Sequence, residues 1–237
     1  MKTSILFAAF LMLGLCAQAQ ADWNSVVSAS NPLASVSAAV DYGSAHSNGT
    51  YGSGAFDAAR NVQGVVEKAA QFGNQGTVLL NEADLTGVWS PEFVVERTGT
   101  KRASMLIRGL PLTFPTIGLD LEQFQSTGQF GFVQYGVENY LFTPNVPSPI
   151  DQWRHIVYVN RAGSGFSLNL NGVFAGSNAL NISLSRYQIG SNTGTIPESP
   201  LTIMDEAILH NRALSPAEIA ALAAAVPDPS WHSERLR

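Results

Sequence analysis

A chain of 237 residues that is 45% hydrophobic and 13% charged can close one large core or two small ones, which excludes a disordered polypeptide. Its formal net charge of −5 argues against nucleic acid and anionic membrane as partners. The single cysteine, Cys16, falls in the first 21 residues, so a chain processed after Ala21 forms no disulfide and no thiolate zinc site.

Residues 1–21 carry Lys2, then the apolar run ILFAAFLMLGLCA, then Gln18-Ala-Gln-Ala21. A basic start, an apolar stretch too short to span and small residues at its end predict an export signal cleaved after Ala21, placing the protein outside the cell or in a bacterial periplasm or envelope. Leu15 stands before Cys16 where lipidation would favour a small residue. No transmembrane span is expected after that point.

From Asp22 to Ser53 the patterning is weak, with Trp23 and Tyr42 as large anchors. Ala55 to Phe72 has the Ala, Val, Glu and Lys content of a helix, yet Gly64 and Gly73 bracket VVEKAAQF, and its alternation favours strand. Val78–Leu80 is a short apolar run, and short strands are expected at Glu92–Arg97, Ala103–Gly109, Ile117–Phe124, Phe130–Val133 and Tyr140–Phe142. Leu85 to Trp89 forms a further short apolar stretch ahead of Pro91.

The clearest pattern runs from Asp151 to Phe174. Trp153, His155, Val157 and Val159 alternate with Arg154, Ile156, Tyr158 and Asn160, the period of two that a pleated strand imposes. Turn residues at 161–165 lead to a second alternating run, and Asn171-Gly172 then supplies a two-residue reversal into Val173 and Phe174. The whole reads as a β-meander. Asn181 to Ser185 alternates, Tyr187 to Gly190 is brief, residues 191–200 read as loop, and Leu201 to His210 is the last strand. Ser215, Pro216 and Glu218 mark a capped helix start, with the helix ending near Ala224, before Pro227. Many short strands and one late helix imply a single antiparallel two-sheet domain over 22–224, followed by a tail over 225–237.

The pairing of DQWRHIVYVNRAGSGFSLNLNGVF with LTIMDEAILHNRALSPAEIAAL resembles the LamG-like, concanavalin A-like jelly-roll domains. The residues that carry the likeness are Trp153-Arg-His155, Leu168-Asn-Leu-Asn171-Gly172, Asp205-Glu206 and Arg212-Ala-Leu-Ser215-Pro-Ala-Glu218-Ile219. A looser likeness extends upstream through Leu119-Asp-Leu-Glu-Gln-Phe and Phe130-Gly-Phe-Val-Gln-Tyr. Leu201 to Met204 departs from the pattern, because many such domains carry a bend-permitting Gly before the Asp-Glu pair. The resemblance implies an all-β jelly-roll sandwich with a short C-terminal helix, acting as a non-catalytic recognition module for extracellular carbohydrate. The rival readings are an adhesive protein that binds a cell-surface protein partner, and a glycoside hydrolase. Val226-Pro-Asp-Pro229 resembles the opening of a bacterial carboxy-terminal sorting signal, although the apolar span that should follow is replaced by Ser-Trp-His-Ser-Glu-Arg-Leu-Arg.

Glycan hydrolysis requires two carboxylates flanking the scissile bond. Asp120-x-Glu122 is the one pair of that form, and it reads as the solvated side of a strand, so no catalytic residue is assigned. His155, beside Trp153 on an apolar face, reads as a core histidine hydrogen-bonded within the sheet. Asp205 and Glu206 should point to opposite faces of their strand and fix it against Arg212 or a loop backbone. No cofactor is assigned; calcium is the metal that loop Asp, Asn and carbonyl oxygens would suit. For sugar binding the candidates are aromatics that stack on apolar sugar faces and amides that bond hydroxyls: Trp89, Tyr135, Asn139 and Tyr140.

Overall fold

The computed structural model describes residues 34–37, 40–41, 50–51, 55–60, 66–72, 77–79, 84–100, 103–110, 116–123, 125–185, 187–190 and 201–226, with side chains described from Ala69 onward. The expected leader, the 191–200 loop and the tail beyond Val226 lie outside these residues.

Among the described residues sixteen strands and one helix form in chain order: β1 Ala34–Ser37, β2 Val40–Asp41, β3 Thr50–Tyr51, β4 Ala55–Arg60, β5 Val66–Phe72, β6 Thr77–Leu79, β7 Ser90–Arg97, β8 Ser104–Gly109, β9 Ile117–Glu122, β10 Gly131–Gln134, β11 Glu138–Leu141, β12 Trp153–Arg161, β13 Gly165–Leu170, β14 Val173–Asn178, β15 Tyr187–Gly190, β16 Thr202–His210 and α1 Pro216–Ala225. All strand pairing is antiparallel. The first sheet has the order β14-β13-β12-β7-β16-β1-β2, with β5 and then β4 sharing the far edge of β16. The second sheet has the order β11-β10-β9-β8-β15-β6-β3. Consecutive β7 and β8 sit in different sheets, so these strands are related by an arch between layers rather than by a hairpin.

The two sheets close on one apolar layer. Phe93 and Val95 of β7, Ile156 and Tyr158 of β12, and Phe166 and Leu168 of β13 meet Leu106 and Ile107 of β8, Leu119 and Leu121 of β9, and Phe132 of β10. Burial of each such large side chain is worth about 1.5–3 kcal/mol relative to exposure. Phe166 holds the centre, stacked on Tyr158 at 5.5 Å and set edge-on to Phe132 at 5.4 Å. Tyr158 then reaches across the layer, its hydroxyl donating to the Asp120 carbonyl at 3.2 Å. Burial, and secondarily the Asp120 charge, holds that hydroxyl well above the usual tyrosine range, so it stays a proton donor.

The meander forms as expected, β12, β13 and β14 pairing in succession. Its Asn171-Gly172 reversal has φ of 49° and 84°, the left-handed pair that a tight hairpin needs. Asn171 also ties the turn to β12, its Oδ1 accepting the His155 N–H at 3.0 Å.

Both faces of β12 are buried. The outward residues Val157 and Val159, with Ile208 of β16, lie beneath Leu214, Ile219 and Leu222 of the helical segment. Trp153 packs outward with Val94, Ile203 and Val226. Ser90 fixes the approach to the helix, its hydroxyl donating to the Arg212 carbonyl at 2.9 Å and accepting the Leu214 N–H at 3.0 Å. The helix starts at a complete capping box: Ser215 Oγ accepts the Glu218 N–H at 3.3 Å, and Glu218 Oε2 accepts the Ser215 N–H at 2.8 Å.

Arg212 pairs with Glu218 at 2.7 Å. One expectation is corrected here. A bulge lies between Met204 and Glu206, and since Met204 and Ala207 both enter the core, Asp205 and Glu206 share the outer side rather than splitting between faces.

Candidate binding site

The outer face of the second sheet is set by the same alternation. Leu119 and Leu121 turn into the core, so Gly118, Asp120 and Glu122 of β9 face out. That face is not the wet surface expected of it: Asp120 and Glu122 are each 1% exposed. Glu122 is committed, its Oε2 paired with Arg97 and its Oε1 accepting the Gly128 N–H at 3.1 Å. Arg97, 3% exposed, also donates to the Gly99 carbonyl at 3.0 Å and to the Ser148 carbonyl.

Glycines hollow this face. A Cβ on Gly118 would meet Met105 Sδ at 2.6 Å, so its absence lets Met105 lie flat across β9. A Cβ on Gly131 would meet the Tyr140 carbonyl at 2.5 Å and Gln123 Nε2 at 2.7 Å. The space it leaves admits the Gln123 amide, which donates to the Phe132 carbonyl at 2.8 Å and to the Tyr140 carbonyl at 3.0 Å.

A cleft of about 240 Å³ opens at this hollow, under the tip that joins β10 to β11. Its floor is Ala103, Met105, Asp120 and Gln123, and its rim is Val133, Gln134, Tyr135, Gly136, Val137, Glu138 and Asn139. The tip forms because Gly136, at φ 74°, allows a tight turn at 135–137. Tyr135 is held on two sides: the Arg108 guanidinium lies 4.0 Å from its ring centroid, and its hydroxyl donates to Met105 Sδ at 3.5 Å.

Of the four expected sugar contacts, the structure brings Tyr135 and Asn139 together at this rim. Tyr140 turns the other way and stacks on Phe132 at 4.9 Å, partly buried against the core. Trp89 is wholly buried, its Nε1 donating to the Ile182 carbonyl at 3.2 Å, and leaves the candidate set. Arg108, Gln123 and Val137 were not singled out from the sequence. Arg108 alone carried a signal, as the one charge closing the apolar run Ser104–Ile107.

The outer face of the first sheet holds a second polar cluster, sealed beneath the helical segment. Glu92 is fully buried, with His155 Nε2 at 2.8 Å from its Oε1 and His210 Nε2 at 3.2 Å from its Oε2. Burial raises the Glu92 pKa, but hydrogen bonds from and the charges of the two histidines outweigh it and hold the carboxyl below its usual value. Among the described residues no group of three His, Cys, Asp or Glu side chains is arranged to hold a metal ion.

Two antiparallel sheets with one apolar layer, a closing helix and a cleft outside the second sheet define a lectin-type sandwich. The model of the concanavalin A-like lectin/glucanases superfamily matches residues 72–220, and the chain belongs to that family. No curated protein matches the chain by sequence. Among solved structures, domain 4 of AbnA, a GH43 extracellular arabinanase from Geobacillus stearothermophilus in complex with arabinotriose, aligns at TM-score 0.60 and 18% identity, covering 81% of this chain and 98% of that one. The botulinum neurotoxin serotype D ligand binding domain, in complex with N-acetylneuraminic acid, aligns at 0.61 and 12% identity over 84% of this chain and 52% of that one. The serotype G binding domain aligns at 0.58 and 13% over 81% and 50%. The chain thus spans about half the length of the toxin domains it matches. At these identities the likeness is one of fold.

Proposed function

We propose that this protein is an exported, non-catalytic carbohydrate-recognition module whose ligand seats in the cleft beside Tyr135 and Asn139. The observation that carries the reading is the cleft itself, which combines one fixed aromatic ring, amide groups and a carboxylate floor in a hollow of the outer sheet face. An aromatic ring offers a sugar an apolar platform, and amides and carboxylates meet its hydroxyls. Solved neighbours of the same fold, the arabinanase domain and the serotype D toxin domain, hold sugars in their structures, which agrees with the reading. A non-catalytic role is supported by Glu122, whose two carboxylate oxygens are occupied by Arg97 and the Gly128 N–H, leaving Asp120 alone of the pair to line the cleft. Export is supported by the leader-like start at 1–21.

The test is retention of the purified chain on immobilised neutral polysaccharides, with and without calcium chelation. Retention that Tyr135→Ala weakens supports the cleft. Release of reducing sugar, lost in Glu122→Gln, would overturn the non-catalytic assignment. A protein partner is the second reading, favoured by Val173 and Phe174, which are 68% and 59% exposed side by side on the edge strand β14. It predicts no glycan retention and capture of an envelope protein that Phe174→Ser prevents.

A further inference from the structure

We infer that the cleft takes a single terminal sugar unit rather than a run of polysaccharide chain; the inference rests on the carbohydrate-binding reading and narrows its ligand. Binding the interior of a glycan requires a row of repeated contacts, because every unit presents the same apolar face and hydroxyls. The outer face of the second sheet builds no such row among the described residues. Tyr135 is the one aromatic ring of these residues that lines the cleft. Arg108 covers one side of that ring at 4.0 Å, so a sugar can stack only on the other.

The neighbouring outward positions are closed as well. Glu122, Arg108 and Gln188 are 1%, 4% and 8% exposed, and among the described residues they leave no groove that extends the cleft across β9, β8 and β15. The cleft volume of about 240 Å³ falls below the range of roughly 300–1,000 Å³ that houses drug-sized ligands. One ring with its hydroxyls fits such a space, and a chain continuing from both ends of that ring would leave it without support.

The same geometry makes Arg108 a positioning residue. Its guanidinium fixes the face of the Tyr135 ring while Met105 Sδ fixes the hydroxyl, so the platform is ordered before ligand arrives and less entropy is lost on binding.

The experiment is calorimetric titration of the full chain with arabino-, xylo- and gluco-oligosaccharides of increasing length, from a monosaccharide to a hexasaccharide. In the series that binds, affinity should level off by the disaccharide and change less than about threefold, or about 0.7 kcal/mol, with further units. A larger climb toward the hexasaccharide would overturn the single-unit inference and leave carbohydrate binding standing. Binding at no length would overturn both. Arg108→Met should weaken binding by about fivefold in the wild-type background, and not at all in Tyr135→Ala, a coupling that a merely structural residue would not produce. Equal losses in the two backgrounds would overturn the positioning role. Arg108→Lys, which keeps the buried cation but loses the planar stack, serves as the variant least prone to misfolding.

Discussion

On the first sheet the outward positions of β12 are Trp153, His155, Val157 and Val159; on the second, the outward positions of β9 are Gly118, Asp120 and Glu122. Both strands bury their other face against the same apolar layer, and each sheet carries a buried glutamate on its outer side. The apolar outward row of β12 must be covered, and α1 covers it with Ile219 and Leu222. The row on β9 carries no large apolar side chain, so it requires no helical lid and can remain a site. What lies outside a sheet is therefore decided by its second alternation, the one that does not build the core.

The two glutamates sharpen that contrast, and they carry the largest expected effect. Glu92→Ala leaves the buried rings of His155 and His210 without their acceptor and should cost about 3–5 kcal/mol, read as a fall in urea midpoint with the slope unchanged. Glu122→Ala strands the buried Arg97 and should cost a similar amount, so equal losses would show that the link from β9 to β7 of the other sheet weighs as much as the cluster beneath the lid. Acid should separate wild type from Glu92→Gln. Because the folded Glu92 carboxyl lies below its usual value of 4.5, its contribution is complete above about pH 4.5 and is lost as pH falls through the depressed value. Glu92→Gln should show a shallower loss of stability through that window. An unchanged acid limb would place the acid-sensitive charge elsewhere.

The lid itself is next. Leu222 is 1% exposed and packs on the outward valines of β12, so Leu222→Ala should cost about 2–4 kcal/mol without altering the cleft on the opposite sheet. Thermal unfolding and glycan binding measured on one preparation would separate the two faces. A variant that unfolds earlier yet binds normally is the expected result.

These effects also mark what the sequence discloses and what it withholds. The meander from Trp153 to Phe174 and the capped helix are legible because their signals are local: strict alternation, an Asn-Gly reversal, and a Ser-Pro-x-Glu start. The arch from β7 to β8 is not legible, since Thr98-Gly-Thr-Lys-Arg102 reads the same whether the next strand returns in one sheet or crosses to the other. The site was half legible for the same reason. Trp89, Tyr135 and Tyr140 each stand near a turn, and only the packing of the two sheets places Trp89 inside and lays Tyr140 against Phe132 while leaving Tyr135 at the rim. The bulge at Asp205 was hidden because alternation on both sides of it looks regular until the two core residues, Met204 and Ala207, are seen three positions apart.

Binding effects should be smaller than the core effects and confined to the second sheet. Tyr135→Ala should lower glycan affinity at least about tenfold, equivalent to about 1.4 kcal/mol, while leaving the unfolding midpoint near that of the wild type. Tyr135 is only half-buried at a turn, so little core packing is lost with it. A midpoint shift as large as that of Leu222→Ala would instead make Tyr135 a structural residue.

The smallest expected effect lies at the helix start. Ser215→Ala removes the acceptor for the Glu218 N–H and should cost about 1 kcal/mol. Glu218 itself is held down to about 2 by Arg212 first and by its bonds to Ser215 second. Its folded value lies below its usual 4.5, so this contribution is present above about pH 4.5 and fades as pH approaches 2. Both partners of the Arg212 pair are 38% exposed, so solvent screens the interaction and the pair should be worth no more than about 1 kcal/mol. Salt separates the two exposed and sealed carboxylates: raising ionic strength should shrink the cost of Glu218→Gln and leave that of Glu92→Gln nearly unchanged, because counter-ions reach the helix start and do not reach the space beneath the lid. Equal salt sensitivity at both positions would mean that α1 does not seal the first sheet.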